Sequence, residues 1–182
     1  MVYVHLADGF EEVEALTVVD LLRRADIDAK TVSVEPDKTV EGAHGIKVEA
    51  DLLFENADYD KCEMVVLPGG MPGAENLKKH KGLYDVIEEF SQKGKELAAI
   101  CAAPMVLDGH AALAGKTVTI YPGFEQQLAS VSPISAEIVD DGNVLTGRGP
   151  AFAMKFALAI IEKLKGTEAA EAVAKGLLLD RG

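Results

Sequence analysis

Short apolar runs alternate with amphipathic stretches along this chain, and that alternation defines its elements. Val2–Ala7 (VYVHLA) is a run of strand length stopped by Asp8-Gly9. Glu11–Ile27 follows, with Ala15, Val18, Val19 and Leu22 at helical spacing. Its acidic start and its arginines near the end suit the helix dipole. Ala29–Val34 predicts a second strand. Thr39–Phe54 alternates polar and apolar positions around Gly42 and Gly45 and predicts a hairpin excursion. Glu63–Gly70 predicts a buried strand entering a glycine turn, Ala74–Gly94 one or two helices, and Glu96–Cys101 another buried strand.

Further on, Ala102–His110 predicts a helix, Lys116–Tyr121 a strand ended by Pro122-Gly123, and Glu137–Gly147 a hairpin turning at Asp-Gly. Pro150–Gly166 carries proline in its first turn and glycine at its end, the polarity of a helix. A short helix over Thr167–Ala174 completes the chain. Strands alternating with helices indicate one α/β domain over residues 1–182, with a mainly parallel sheet covered on both faces. Ligands of such sheets bind beyond the carboxyl ends of the strands. Three segments end there: ADGFEEVE, LPGGMPGAE and AICAAP.

Composition excludes several classes. With 182 residues, 48% of them hydrophobic, the chain can bury one sizeable core. Its net charge is −12 and no basic stripe is visible, which argues against a nucleic-acid groove or an anionic membrane surface as partner. No apolar run approaches the roughly 20 residues that span a bilayer. The N-terminus lacks the basic and apolar regions of a signal peptide, so a cytoplasmic location is expected. Cys62 and Cys101 are expected to be free thiols in that setting. His5, His44, His80 and His110 are scattered, so neither a metal nor another cofactor is expected.

Candidate chemistry centres on Cys101, at a strand-to-helix turn. Helical N–H groups without internal partners and the helix dipole would depress its pKa below the usual value of about 8.5. The plain alternative is a buried core thiol, a common fate of free cysteine. Gly69 and Gly70 at a tight turn would expose N–H groups, the donors of an oxyanion hole. Glu11 and Glu14 share one helical face while Glu12 points elsewhere. A carboxyl buried beside a thiolate would be protonated, donate to sulfur and move protons. Among the histidines, His110 lies nine residues beyond Cys101, roughly 13 Å along a helix. His5 reads as a packing residue and His80 as part of a polar, lysine-rich surface. His44, in a glycine-flanked loop, is the mobile candidate. Cys62 reads as a packing residue.

The segments GFEEVEALTVVDLLRRADI, VVLPGGMPGAENL, AAICAAPMVL and LTGRGPAFAMKFALAIIEKLKG, in that order over nearly the whole chain, resemble the ThiJ/PfpI superfamily, and most closely its protein-deglycase and ThiJ branch. The resemblance implies a flavodoxin-like sandwich, usually a homodimer, with a reactive, oxidation-sensitive cysteine at a nucleophile elbow. By motif, Cys101 corresponds to that nucleophile and Glu14 to the glutamate touching its sulfur. Gly70 and Ala102, with Gly69 alongside, match the oxyanion or anion pocket. Arg148 of GRGP matches the loop beside it, and Arg23 and Arg24 resemble residues at or near the family's dimer contact. Tyr121-Pro122 stands at the His-Pro position of some members. Tyrosine, with a pKa of about 10, is a poor base at neutral pH but can hydrogen-bond a substrate. Ala102 stands where the peptidase branch has histidine, which removes that branch's base. The function implied is a cofactor-independent deglycase or glyoxalase acting on methylglyoxal, glyoxal or their adducts with amines and thiols. The alternative is an oxidative-stress sensor or redox-regulated chaperone whose Cys101 becomes a sulfinic acid beside Glu14. A cysteine peptidase trails both.

Overall fold

The computed structural model describes residues 1–179, and the last three positions of the expected 1–182 domain lie outside the described residues. Its strands are β1 (Val2–Leu6), β2 (Ala29–Ser33), β3 (Thr39–Glu41), β4 (Lys47–Glu49), β5 (Leu52–Leu53), β6 (Met64–Leu67), β7 (Glu96–Ile100), β8 (Ile138–Asp141) and β9 (Val144–Gly147). The helices are α1 (Glu12–Arg24), α2 (Gly73–Lys79), α3 (Lys81–Lys93), α4 (Pro104–Leu107), α5 (Ala153–Lys165) and α6 (Thr167–Gly176). Seven strands form one sheet of order β5-β2-β1-β6-β7-β9-β8. All its pairs are parallel except β8 with β9. β3 and β4 form a separate antiparallel pair.

Period-two alternation divides the central strands between two cores. Val2, Val4, Leu6, Met64, Val66, Ala98 and Ile100 face α1, α5 and α6. Tyr3, Val65, Leu67, Leu97 and Ala99 face α2, α3 and α4. Because both faces are covered, these strands read as continuous apolar runs. α1 buries Ala15, Val18, Val19 and Leu22, the positions its spacing marked. The chain leaves β1 for β2 on one side and later returns to β6 on the other. Strand order therefore reverses beside β1, where open α/β sheets place ligands.

Several elements differ from the sequence reading, each for a physical reason. The 39–54 excursion does not end as a simple hairpin. Asp51 accepts the Thr31 N–H and hydroxyl and pairs with Arg23 at 2.6 Å, which turns Leu52–Leu53 into the main sheet beside β2. The helix expected over 102–110 shrinks to the four residues of α4. There the Asp108 carboxylate turns away to accept from Ala129, from the Ser130 N–H and from the Ser130 hydroxyl. Of the one or two helices expected over 74–94 the structure has two, α2 and α3, divided at His80. That ring accepts the Leu83 N–H at 3.0 Å and rests on Phe54, with centroids 4.5 Å apart. His80 is thus half-buried rather than part of a polar surface.

The strand expected over 116–121 is extended chain outside the sheet. Side chains replace a ladder partner: Thr117 N–H donates to Asp141 at 2.7 Å and Thr119 N–H to Thr146 Oγ1 at 3.0 Å. The Thr119 hydroxyl donates to the Ala136 carbonyl at 2.8 Å. No helix among the described residues is long and apolar enough to cross a membrane.

Thr146 is fully buried, so Thr146→Val orphans the Thr119 N–H with little change of shape. The expected loss is about 1–3 kcal/mol in urea unfolding, the cost of a buried unpaired donor. Thr146→Ser keeps the acceptor and is expected to retain more stability than Thr146→Val in the same measurement.

Candidate active site

Cys101 follows β7 directly, and its backbone is left-handed, with φ of 63°. For a residue with a Cβ that conformation costs roughly 1–2 kcal/mol. Two bonds hold it: its N–H donates to the Gly147 carbonyl at 2.9 Å, and its carbonyl accepts the Tyr121 N–H at 2.9 Å. The elbow lifts the thiol out of the strand register. Leu97 to Ile100 and Ala102 to Leu107 are buried, whereas Cys101 is partly exposed.

The loop after β6 meets this elbow from one side. Gly70 has φ of 88°, and a Cβ there would lie 2.4 Å from Glu11 N and 2.5 Å from the Gly9 carbonyl oxygen. Only glycine permits that approach. The Glu11 N–H donates to the Gly69 carbonyl at 2.9 Å, locking the two loops together. The first turn of α1 then delivers Glu14, fully buried, whose Oε2 accepts the Gly69 N–H at 2.7 Å. Its Oε1 is buried and has no hydrogen-bond partner among the described residues. A Cβ on Gly69 would fall 2.8 Å from Glu14 Oε2 and 3.0 Å from Cys101 Sγ, so carboxyl and sulfur converge over that glycine. The N–H groups of Ala102 and Gly70 face the sulfur.

The electrostatics correct one expectation. Burial pushes the Cys101 thiol up to about 12, and the Glu14 carboxylate adds to the rise, against the Ala102 and Gly70 N–H groups. No depression of the thiol emerges, because a four-residue helix supplies little dipole and burial dominates. Burial also pushes Glu14 up to about 7, although the Gly69 N–H and the Cys101 side chain favour its charged form. The two groups titrate as a pair: the first proton lost leaves a single negative charge shared between carboxyl and sulfur.

Cys101, Glu14, Gly69, Gly70 and Ala102 are thus brought together. Gly69 plays a different part from the one expected, since its N–H is taken by Glu14 and the donors at sulfur come from Gly70 and Ala102. Tyr121 and Arg148 flank the elbow and border a neighbouring cavity. His44 instead pairs with Glu12, Nδ1 to Oε2 at 2.7 Å, with Glu11 at 3.8 Å. Among the described residues, the donor atoms of Glu11, Glu12 and His44 lie within 4.8 Å of one another and form a group that could hold a metal ion, a grouping invisible in linear spacing. His5 is buried against Tyr59, and Cys62 is buried beside the Met64 carbonyl, both as packing residues. Sequence reasoning missed Pro150 and Phe152 as cavity walls; the GRGPAF run was the available signal.

An α/β sheet with a cysteine elbow and a buried glutamate at its switch point defines the class. The DJ-1/PfpI family matches residues 1–163, and the chain belongs to that family. It is 38% identical over 176 residues to protein dj-1beta of Drosophila melanogaster, covering 96% of this chain and 94% of that one. It is 37% identical over 181 residues to protein DJ-1 homolog A of Arabidopsis thaliana, covering 98% of this chain but only 46% of that longer protein. A Pyrococcus abyssi protein named a deglycase is 32% identical over 146 residues, covering 79% and 87% of the two chains. Among solved structures, oxidized Toxoplasma gondii DJ-1 superposes with a TM-score of 0.93 at 35% identity, covering 98% of this chain and 97% of that one.

The raised pKa of Glu14 makes stability pH-dependent. Folding favours the protonated form, so this contribution is complete below 4.5, the carboxyl's ordinary value, and is lost as pH rises through about 7. At 1.36 kcal/mol per unit the loss is about 3 kcal/mol. His5, buried and pushed down to about 3, gives the opposite slope below its ordinary value of 6.5, so the difference between variants is the clean readout. The stability of wild type minus that of Glu14→Gln, from urea unfolding at pH 4.5 to 8, is expected to fall across this window.

Proposed function

We propose that this protein is a cofactor-independent, cysteine-dependent deglycase of glyoxalase type, acting on methylglyoxal, glyoxal or their adducts. The observation that carries the reading is the buried Glu14 carboxyl, with one oxygen unpartnered, beside a partly exposed elbow cysteine. A deglycase name on the Pyrococcus relative supports it. In this mechanism Glu14 is the charged member of the resting pair, and its carboxylate takes the Cys101 proton as the sulfur attacks. The thiolate adds to the aldehyde carbon, and the Gly70 and Ala102 N–H groups hold the resulting oxyanion. Glu14 gives its proton to that oxyanion and, now a carboxylate, removes the proton on the same carbon; it returns this proton to the neighbouring carbon as the hydroxyl proton passes to the neighbouring oxygen, which oxidises the first carbon and reduces the second. The product is a lactoyl thioester on Cys101. Water hydrolyses it, releasing lactate and restoring the thiol; glyoxal gives glycolate by the same steps. For an adduct, the amine or thiol leaves with its proton.

A second reading is favoured by two observations: the Toxoplasma structure is described as oxidized, and Glu14 Oε1 is free to donate to a sulfinate formed on Cys101. It makes the protein an oxidative-stress sensor. For the peptidase reading, Ala102 supplies no base. A homodimer is also proposed. Val13 and Leu16, 53% and 38% exposed on α1, support it. Arg23 and Arg24 pair instead with Asp51 and Asp20 of their own chain.

Purified protein given methylglyoxal is expected to form lactate, measured enzymatically. Cys101→Ser is expected to remove the activity, and Glu14→Gln to lower it by about 10²–10⁴-fold, the usual share of general acid–base catalysis. Lactate no higher than in Cys101→Ser would overturn the enzyme reading.

A further inference from the structure

Backbone bonds hold the β3–β4 hairpin against the start of α1. Ala43 N–H donates to the Phe10 carbonyl at 2.8 Å, and Gly9 N–H to the Glu41 carbonyl at 2.7 Å. The Glu41 N–H donates to Asp8 Oδ1 at 2.9 Å. A Cβ on Gly42 would collide with the Glu12 carboxylate, so the hairpin backbone closes directly over that group. Two carboxylates and one imidazole, from Glu11, Glu12 and His44, are brought to one place by this packing.

The cluster is short of positive charge. The side chains of Glu12 and Glu11 are only 6% and 13% exposed, and no lysine or arginine among the described residues pairs with either. Carboxylates withdrawn from water side by side need a compensating charge. The His44 ring can supply at most one. Its Nδ1 is committed to Glu12 Oε2 at 2.7 Å, while Glu11 Oε2 stands at 3.8 Å, beyond a hydrogen bond. The dipole at the start of α1 adds about half a positive charge, which the second carboxylate exceeds.

The spacing suits a small divalent ion. All three donor atoms lie within 4.8 Å of one another. In a zinc tetrahedron with donors about 2.1 Å from the ion, neighbouring donors stand about 3.4 Å apart. The separations of 2.7 and 3.8 Å from Nδ1 bracket that edge, so side-chain shifts of about 1 Å seat the ion. His44 is 68% exposed, which leaves its ring free to make the adjustment. Imidazole combined with carboxylate is a donor set for zinc and its neighbours, whereas magnesium and calcium take oxygen alone.

We infer that Glu11, Glu12 and His44 form a zinc site that staples the β3–β4 hairpin to α1. Each glutamate gives one oxygen, and a neutral His44 gives Nδ1 with the ring proton on Nε2. Three protein donors leave a fourth position for water. The inference does not depend on the reading of Cys101 as the reacting thiol.

Thiols also bind zinc, so the measurement uses full-length Cys101→Ser beside wild type. Zinc chloride is titrated in chelator-free buffer, bound metal is counted by equilibrium dialysis, and stability is read from urea unfolding. Cys101→Ser is expected to bind one zinc per chain and to unfold at higher urea with zinc than without. Adding His44→Gln is expected to lower the affinity by about a hundredfold or more and to abolish the zinc-dependent rise, since loss of an outer-shell partner alone costs about 10–100-fold. Glu11→Gln, which keeps its backbone N–H bond to Gly69, is expected to lose about tenfold or more. If the His44→Gln form does not fold without metal, Glu11→Gln makes the same comparison. Zinc that binds wild type but not Cys101→Ser belongs to the thiol and overturns the site. Equal affinity with and without His44→Gln overturns it as well. An absence of bound zinc in Cys101→Ser reduces the cluster to a His44–Glu12 ion pair and has the same consequence.

Discussion

A left-handed backbone at a residue that is not glycine organises this molecule. Cys101 could relax by about 1–2 kcal/mol if released, and it stays because both its peptide groups are bonded into other parts of the fold. One bond continues the register of β7 on β9, where Ile100 already faces Gly147. The other reaches Tyr121 at the end of the 116–120 segment, which side-chain acceptors on β8 and β9 hold extended. The strain at one residue is therefore distributed over the edge of the sheet. That is the reason the cysteine sits in a fixed place rather than on a flexible loop.

Three loops converge there, and convergence needs missing atoms. Gly9, Gly69, Gly70 and Gly73 each sit where a Cβ would collide with backbone or with the reacting groups. At Gly69 those groups are Glu14 and Cys101 themselves. The close approach lets a helix-borne carboxyl reach across the sheet end to a sulfur on another strand. Both groups are thereby removed from water, and that burial raises the pKa of each, while their contact raises the thiol further and favours the charged carboxyl. Burial and coupling are one device: neither group would share a charge with the other if solvent screened them.

Much of this was legible in the residues. Apolar runs of strand length, the helical spacing of α1, the Asp-Gly turn of β8 and β9 and the proline–glycine polarity of α5 are local signals, and the structure follows them. The glycine turn, Glu14 and Cys101 were legible as members of one site because the carboxyl ends of parallel strands gather in one place. What failed was set by distant partners. Asp108 ends α4 by bonding residues 129 and 130, and Asp51 turns β5 through Thr31 and Arg23. The thiol's ionisation was misread because the helix behind it is one turn long, so burial outweighs the dipole. His44 was available as a site histidine until Glu12 was seen to hold it.

Glu12 and Glu14 make the last point about environment. They lie two residues apart in the same helical turn, and both are buried. Burial alone would raise Glu12, but the His44 ring and the backbone N–H groups of His44 and Ile46 outweigh it and hold its carboxyl below the ordinary range. Glu14 faces the sheet, receives one N–H and keeps an unpartnered oxygen, so burial prevails there. One glutamate is thus a fixed charge that anchors the β3–β4 loop through His44; the other titrates near neutrality. Two residues of helix carry their side chains into different surroundings, and the surroundings divide the roles.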